Sequence, residues 1–169
     1  MQIFGHRMKT MKDHGITLVE LIIVISIIGI LAVALGFEFT GWMGSYGVES
    51  QMKEMYVDLM NARARAMQRN RAHFVNFPDA TSYRIFEDTD PAPDGDGILQ
   101  TASDTQVLPT KTIQYALTWS GNIAFDNRGL VSPMGTIRVN STANPDYDCI
   151  VLFPTRINMG KWNGSCVAK

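Results

Sequence analysis

The feature that most constrains this chain is an apolar run from Ile16 to Phe37 that carries one ionisable side chain, Glu20. Thr17 and Ser26 are the only other polar side chains in it. A run of roughly 20 apolar residues spans a bilayer as a helix. Gly29 and Gly36 are tolerated there, because in lipid the backbone has to satisfy its own hydrogen bonds. A carboxylate in such a segment costs about 2.5–3.5 kcal/mol on insertion scales, which makes Glu20 a functional candidate. The bland alternative is a glutamate that snorkels to the head groups. Ahead of the run, Arg7, Lys9 and Lys12 face only Asp13. A basic flank of this kind keeps residues 1–15 in the cytoplasm and sends the rest of the chain to the other side.

The order is a short basic leader, Gly15-Ile16-Thr17-Leu18-Val19-Glu20, then the long apolar stretch. It resembles the type IV prepilin signature. The resemblance implies that prepilin peptidase cuts after Gly15, that Ile16 becomes the N-terminal residue, and that Ile16 is N-methylated. Many members carry Phe where Ile16 stands. An ordinary secretory signal is cut after its apolar stretch. Here the small residue comes first, so the apolar segment stays in the mature chain as an anchor. In this family the glutamate is thought to meet the N-terminal amine of a neighbouring subunit, which would pair an otherwise buried charge. Glu20 is therefore expected to serve assembly, not catalysis.

Beyond Phe37 the charges nearly balance. Three leader cations taken from fifteen leave twelve, and Asp13 and Glu20 taken from sixteen leave fourteen acids. That balance gives no broad electrostatic footprint for nucleic acid. About 130 residues remain after leader and span, enough for one domain with its own core. Gly36, Gly41, Gly44 and Gly47 predict a weakened or bent helix beside Trp42 and Tyr46, which suit a membrane interface. Those glycines read either as a joint or as close packing between helices. From Val48 a helical period returns, with Met52, Met55, Tyr56, Leu59, Met60, Ala62, Ala66 and Met67 on one apolar stripe. It should end near Asn70-Arg71. Arg63, Arg65, Arg69 and Arg71 either complement the helix dipole or meet an acidic neighbour.

After Arg71 the period falls to two. Strands are expected at His73–Phe77, Tyr83–Phe86, Val107–Leu108, Thr112–Leu117, Ile123–Phe125, Thr136–Asn140, Cys149–Phe153 and Arg156–Met159. Asn127-Arg128-Gly129 and Ser132-Pro133-Met134-Gly135 read as turns. One long helix followed by strands predicts an α+β domain, with antiparallel sheet on the stripe. Ala62-Arg63, Ala66 and Arg69-Asn70, then the Asn127-Arg128-Gly129 turn and two closing strands, are similar to the GspH/FimT branch of prepilin-like proteins. That resemblance implies a pilin-like fold. Its expected organisation is a cleaved leader at 1–15, a membrane-spanning helix at 16–37, a joint and amphipathic helix at 38–71, and a periplasmic β-rich domain at 72–169.

The resemblance implies partners: other pilins or pseudopilins through the N-terminal helix, prepilin peptidase, an inner-membrane assembly platform and the bilayer. It places the chain in the inner membrane by a single pass, and later in a filament. Secretion pseudopilins and pilus minor pilins share anchor, helix and sheet, so the machine stays open. Relatives that bind DNA carry a Gly-Arg-x-Arg element near the C-terminus. Here the tail from Thr155 offers only Arg156 and Lys161, which weighs against nucleic acid.

Cys149 and Cys166 lie on the exported side, where an oxidising compartment allows them to pair. The alternative is two reduced cysteines. Asp88, Asp90, Asp94 and Asp96 form a weak calcium candidate, since calcium takes carboxylates at alternate loop positions. Pro91 and Pro93 break such a loop and no glutamate follows, so a solvated acidic loop is the default. No phosphate loop, His-Glu-x-x-His helix or Gly-x-Ser-x-Gly elbow occurs. No enzyme and no cofactor are expected.

Overall fold

A computed structural model describes residues 15–119 and 121–169, leaving aside the side chains of 35–40. Most of the leader, residues 1–14, lies outside the described residues. The chain divides into two compact units at Thr40/Gly41. One helix, α1, runs Leu18–Arg69.

In the first unit every described side chain of α1 is exposed. Ser26 turns its hydroxyl to the Ile22 carbonyl at 2.7 Å, so the helix satisfies its own polar group. Among the described residues no helix is long and apolar enough to cross a membrane. The described side chains of the apolar run stop at Ala34, short of the expected end at Phe37.

In the second unit the glycine-rich stretch is part of α1: residues 41–47 are helical throughout. Gly47 is there for packing. A Cβ on it would stand 2.7 Å from the Tyr115 hydroxyl. The buried stripe is Val48, Met52, Met55, Leu59, Ala62 and Ala66, spaced four, three, four, three, four. Tyr56 is only half-buried, and Met60 and Met67 are exposed. The stripe is thus narrower than the apolar pattern suggested. The helix stops at Asn70, whose φ of 56° is left-handed, and the Arg71 amide donates back to the Ala66 carbonyl at 3.2 Å. This is the six-to-one closure of a Schellman end, with asparagine in the glycine position.

Among the described residues nine strands follow: β1 (His73–Asp79), β2 (Ser82–Glu87), β3 (Thr105–Thr112), β4 (Gly121–Phe125), β5 (Val131–Ser132), β6 (Gly135–Arg138), β7 (Cys149–Phe153), β8 (Arg156–Trp162) and β9 (Cys166–Ala168). They form two antiparallel sheets, ordered β3-β2-β1-β4-β5 and β6-β7-β8-β9. The helix stripe shares one core with Val75, Phe77, Tyr83, Ile85, Ile123 and Phe125 of the first sheet and Ile137, Ile150, Leu152 and Ile157 of the second. The α+β arrangement of a helix on antiparallel sheets is the one expected of a pilin-like fold.

Three strand expectations need correcting. Thr112–Leu117 is not a strand: β3 ends at Thr112, and only Leu117 makes a bridge, to Val139. The Gln51 side chain supplies the reason. Its amide donates to the Tyr115 carbonyl at 2.7 Å, and its carbonyl accepts from the Tyr115 amide at 2.8 Å. The Tyr115 peptide therefore pairs with the helix instead of a strand. Ser132 belongs to β5 and Gly135 to β6, so the expected turn shrinks to Pro133-Met134 and carries the chain from one sheet to the other. Cys166–Ala168, where no strand was named, forms β9 on β8.

The turn before β5 explains its Asx-Arg-Gly sequence. The Asp126 carboxylate accepts from the Arg128 and Leu130 amides at 2.9 and 2.8 Å. Gly129 sits at φ 76°, and a Cβ there would meet Met67 Sδ at 2.8 Å. The left-handed φ is what calls for glycine there.

Candidate assembly site

The signature stretch stands at the start of α1. Gly15 and Ile16 are exposed and precede the helix. Thr17 is its N-cap: the Thr17 hydroxyl accepts from the Glu20 amide at 3.2 Å, and the Thr17 carbonyl accepts from the Leu21 amide at 3.2 Å. Thr17-x-x-Glu20 is the pattern of a capping box. Glu20 is thereby held in the first turn, where a carboxylate complements the positive end of the helix dipole. The Thr17 cap escaped the sequence reading, although its spacing to Glu20 was the available signal. Glu20 follows Ile16 by four residues, in the first turn of a helix whose next apolar side chains are exposed.

At the far end of the chain Cys149 and Cys166 are joined by a disulfide, with Cα atoms 6.0 Å apart. It ties β7 to β9 across the intervening β8. Arg156 and Lys161 both lie on β8. They are not brought together: an odd offset of five puts them on opposite faces of a strand. Arg156 stacks on the Phe153 ring at 4.5 Å, and Lys161 lines a cleft with Asp146 and Glu49.

Three of the four loop carboxylates hold separate donors. Asp88 accepts from the Gly97 amide at 2.7 Å, Asp90 from the Ser103 hydroxyl at 2.8 Å, and Asp96 from the Ile98 amide at 2.9 Å. Asp88 and Asp94 line one open cleft beside Arg71. Among the described residues no group of three or more His, Cys, Asp or Glu converges to hold a metal. The organising residue is Asp104, which accepts from the Thr89, Asp90 and Gln100 amides at 3.0, 3.2 and 2.7 Å. It was invisible in the sequence because its partners lie up to fifteen residues upstream. Burial raises the Asp88 pKa above the ordinary range; the Gly97 amide opposes this, and the Asp104 charge adds to it.

Two further polar groups anchor α1 to the sheets. The Tyr83 hydroxyl donates to Asp58 at 2.6 Å, and Lys111 reaches Asp58 and Glu54 at 2.6 and 2.7 Å. Burial pulls the Lys111 pKa down, but these two carboxylates outweigh it and leave it raised. Of the helix-end arginines, Arg63 donates to the Thr155 carbonyl at 2.8 Å, and Arg69 and Arg71 stand 4.0 and 3.6 Å from buried Glu87. Glu87 pairs across β1–β2 with His73, which is fully buried with Nδ1 3.3 Å from the Arg71 carbonyl. Burial lowers the His73 pKa; the Arg71 carbonyl and Glu87 resist, and Arg65 and Arg69 reinforce the fall.

Comparison with known families gives two matches. Residues 10–36 match the prokaryotic N-terminal methylation motif. Residues 51–155 match the type II transport protein GspH. No curated protein matches the chain significantly, and no solved structure does. The second match covers more than half of the chain and takes in the buried stripe from Met52 on, the first sheet and the second sheet as far as the β7–β8 turn. An N-terminal methylation motif joined to that domain marks a type II secretion pseudopilin or type IV pilin, and the chain belongs to the GspH family.

Proposed function

We propose that this chain is a minor pilin or pseudopilin, a structural subunit and not an enzyme. An inner-membrane helix over 16–37 holds it, with the C-terminal domain in the periplasm, until it is built into a short filament. Prepilin peptidase cuts after Gly15, and Ile16 is N-methylated. Glu20 then pairs with the Ile16 amine of a neighbouring subunit, because a carboxylate in an apolar bundle is tolerated only when compensated. The observation that carries this reading is the capped start of α1: Thr17 holds Glu20 one turn from Ile16, at the head of an exposed apolar helix. Other subunits of the same class and the assembly platform are the partners, and the filament serves protein secretion or pilus assembly.

Mass spectrometry of the protein from its native cell tests the first half. Methylated Ile16 at the N-terminus is expected; an intact leader or a different first residue overturns the reading. Glu20→Leu tests the second half. Processing should be unchanged and filament incorporation lost; normal incorporation removes the assembly role of Glu20.

A further inference from the structure

A cleft of about 370 Å3 lies in the second unit, within the about 300–1,000 Å3 range of small-molecule clefts. Trp42, Ser45, Tyr46 and Glu49 line it from the helix. Asn144 and Asp146, from the segment between β6 and β7, and Lys161 of β8 line it from the other side. The Trp42 and Tyr46 rings stack 5.9 Å apart and are 63% and 64% exposed. Aromatic side chains left open just beyond an apolar segment suit a membrane interface. Trp42 follows Phe37, the last residue of the apolar run, by five residues. Five residues of helix rise about 7.5 Å, close to the depth of one head-group layer.

The two acids of the cleft are already paired. Glu49 accepts from the Asp146 amide at 2.8 Å and from Lys53 at 3.2 Å, and Asp146 accepts from Lys169 at 2.6 Å. Lys161 makes no ion pair among the described residues. Lys53, Lys161 and Lys169 against Glu49 and Asp146 leave one positive charge over, and it is the Lys161 ammonium. The Ser45 hydroxyl is held by the Gly41 carbonyl at 3.3 Å, whereas Asn144 keeps a side-chain amide that no described group occupies.

We infer that this cleft holds the phosphodiester head group of an anionic membrane lipid, with Lys161 on the phosphate and Trp42 and Tyr46 against the glycerol and upper acyl chain. The inference rests on the proposed function, which puts residues 16–37 in the bilayer. A lysine ammonium is a point charge suited to phosphate, and a basic side chain near an anionic lipid surface is attracted to it. The amphipathic rings prefer the level where the apolar and wet parts of a lipid meet. A free anion would use the ammonium and leave the rings bare; a lipid uses both.

The test gives the full chain from its native cell, in detergent, equal amounts of phosphatidylglycerol and phosphatidylcholine with the same acyl chains, and counts bound lipid by native mass spectrometry. The apolar run takes both lipids alike, so a preference reports the head group. One phosphatidylglycerol should be retained about tenfold over phosphatidylcholine. Lys161→Gln should abolish that preference, Lys161→Arg should keep it, and Arg156→Gln, on the opposite face of β8, should leave it unchanged. Equal retention of the two lipids, or a preference that survives Lys161→Gln, overturns the inference. So does displacement of the lipid by millimolar inorganic phosphate, which would make the ligand a free anion. A second measurement needs no variant: about 1 M salt should erase the preference of the unaltered chain, and a preference indifferent to salt overturns the Lys161 contact. If the protein from its native cell carries no methylated Ile16, the proposed function is what fails. If it does and the two lipids bind alike, only the lipid site is lost.

Discussion

The two stretches of α1, 18–34 and 41–69, are both rich in large apolar side chains, yet they serve opposite ends. In the first, every described side chain is exposed, and polarity is confined to the Thr17–Glu20 cap and Ser26. In the second, one stripe is fully buried against two sheets, and polar side chains reach out to particular partners: Gln51 to Tyr115, Asp58 to Tyr83, Arg63 to Thr155. An apolar face contributes to the fold only where the same chain covers it. The first stretch has nothing of that kind, so its hydrophobicity is available to lipid or to other subunits. The second has spent one face on its own core.

This contrast can be broken by substitution, read out as the unfolding free energy of the full chain in detergent. Leu59→Ala should show the largest effect, a loss of about 2–5 kcal/mol, because Leu59 is fully buried in the shared core. Replacing Cys149 and Cys166 together by serine should cost about 3 kcal/mol, the loop entropy of a crosslink spanning 17 residues. Gln51→Ala should cost about 1–3 kcal/mol, since it leaves the Tyr115 peptide unpaired at a part-buried site. Ile25→Ala, in the exposed stretch, should change unfolding by no more than about 0.5 kcal/mol. A loss at Ile25 comparable to that at Leu59 would erase the distinction between the two stretches.

Acid should sharpen the same contrast. His73 titrates below its ordinary value of 6.5 in the folded chain, so as pH falls the unfolded chain takes up the proton first. The contribution is present above that value and is lost as pH falls below it toward the folded pKa. His73→Leu should flatten the stability profile below about pH 6.5, measured as melting temperature against pH. An unchanged acid limb would place its cause elsewhere.

Much of the second unit was legible because burial writes a period into the chain. The buried stripe, the helix stop at Asn70-Arg71 and the strands at His73, Tyr83, Ile123 and Cys149 follow from intervals of 3.6 and 2. Where the reading failed, a distant side chain had displaced a local preference. Thr112–Leu117 alternates like a strand, but Gln51 claims the Tyr115 peptide from 64 residues away. The aspartates from Asp88 to Asp96 look like ligands in sequence, yet Asp88, Asp90 and Asp96 turn to separate backbone or side-chain donors, and Asp104 gathers the loop. β9 is too short to carry a period and exists through its register on β8.

The sequence by itself determined the apolar helix with its lone carboxylate, the leader's basic charge, and the succession of one helix and many strands. These are local properties, set by hydropathy and spacing along the chain. Tertiary structure alone decided that Met60 and Met67 stay outside the stripe that faces the sheets, and how the strands divide into two sheets. The physical reason is that Met60 and Met67 also stand at helical intervals of three and four from apolar neighbours. Periodicity states that a face is apolar; only the chain folded against it states which face is covered.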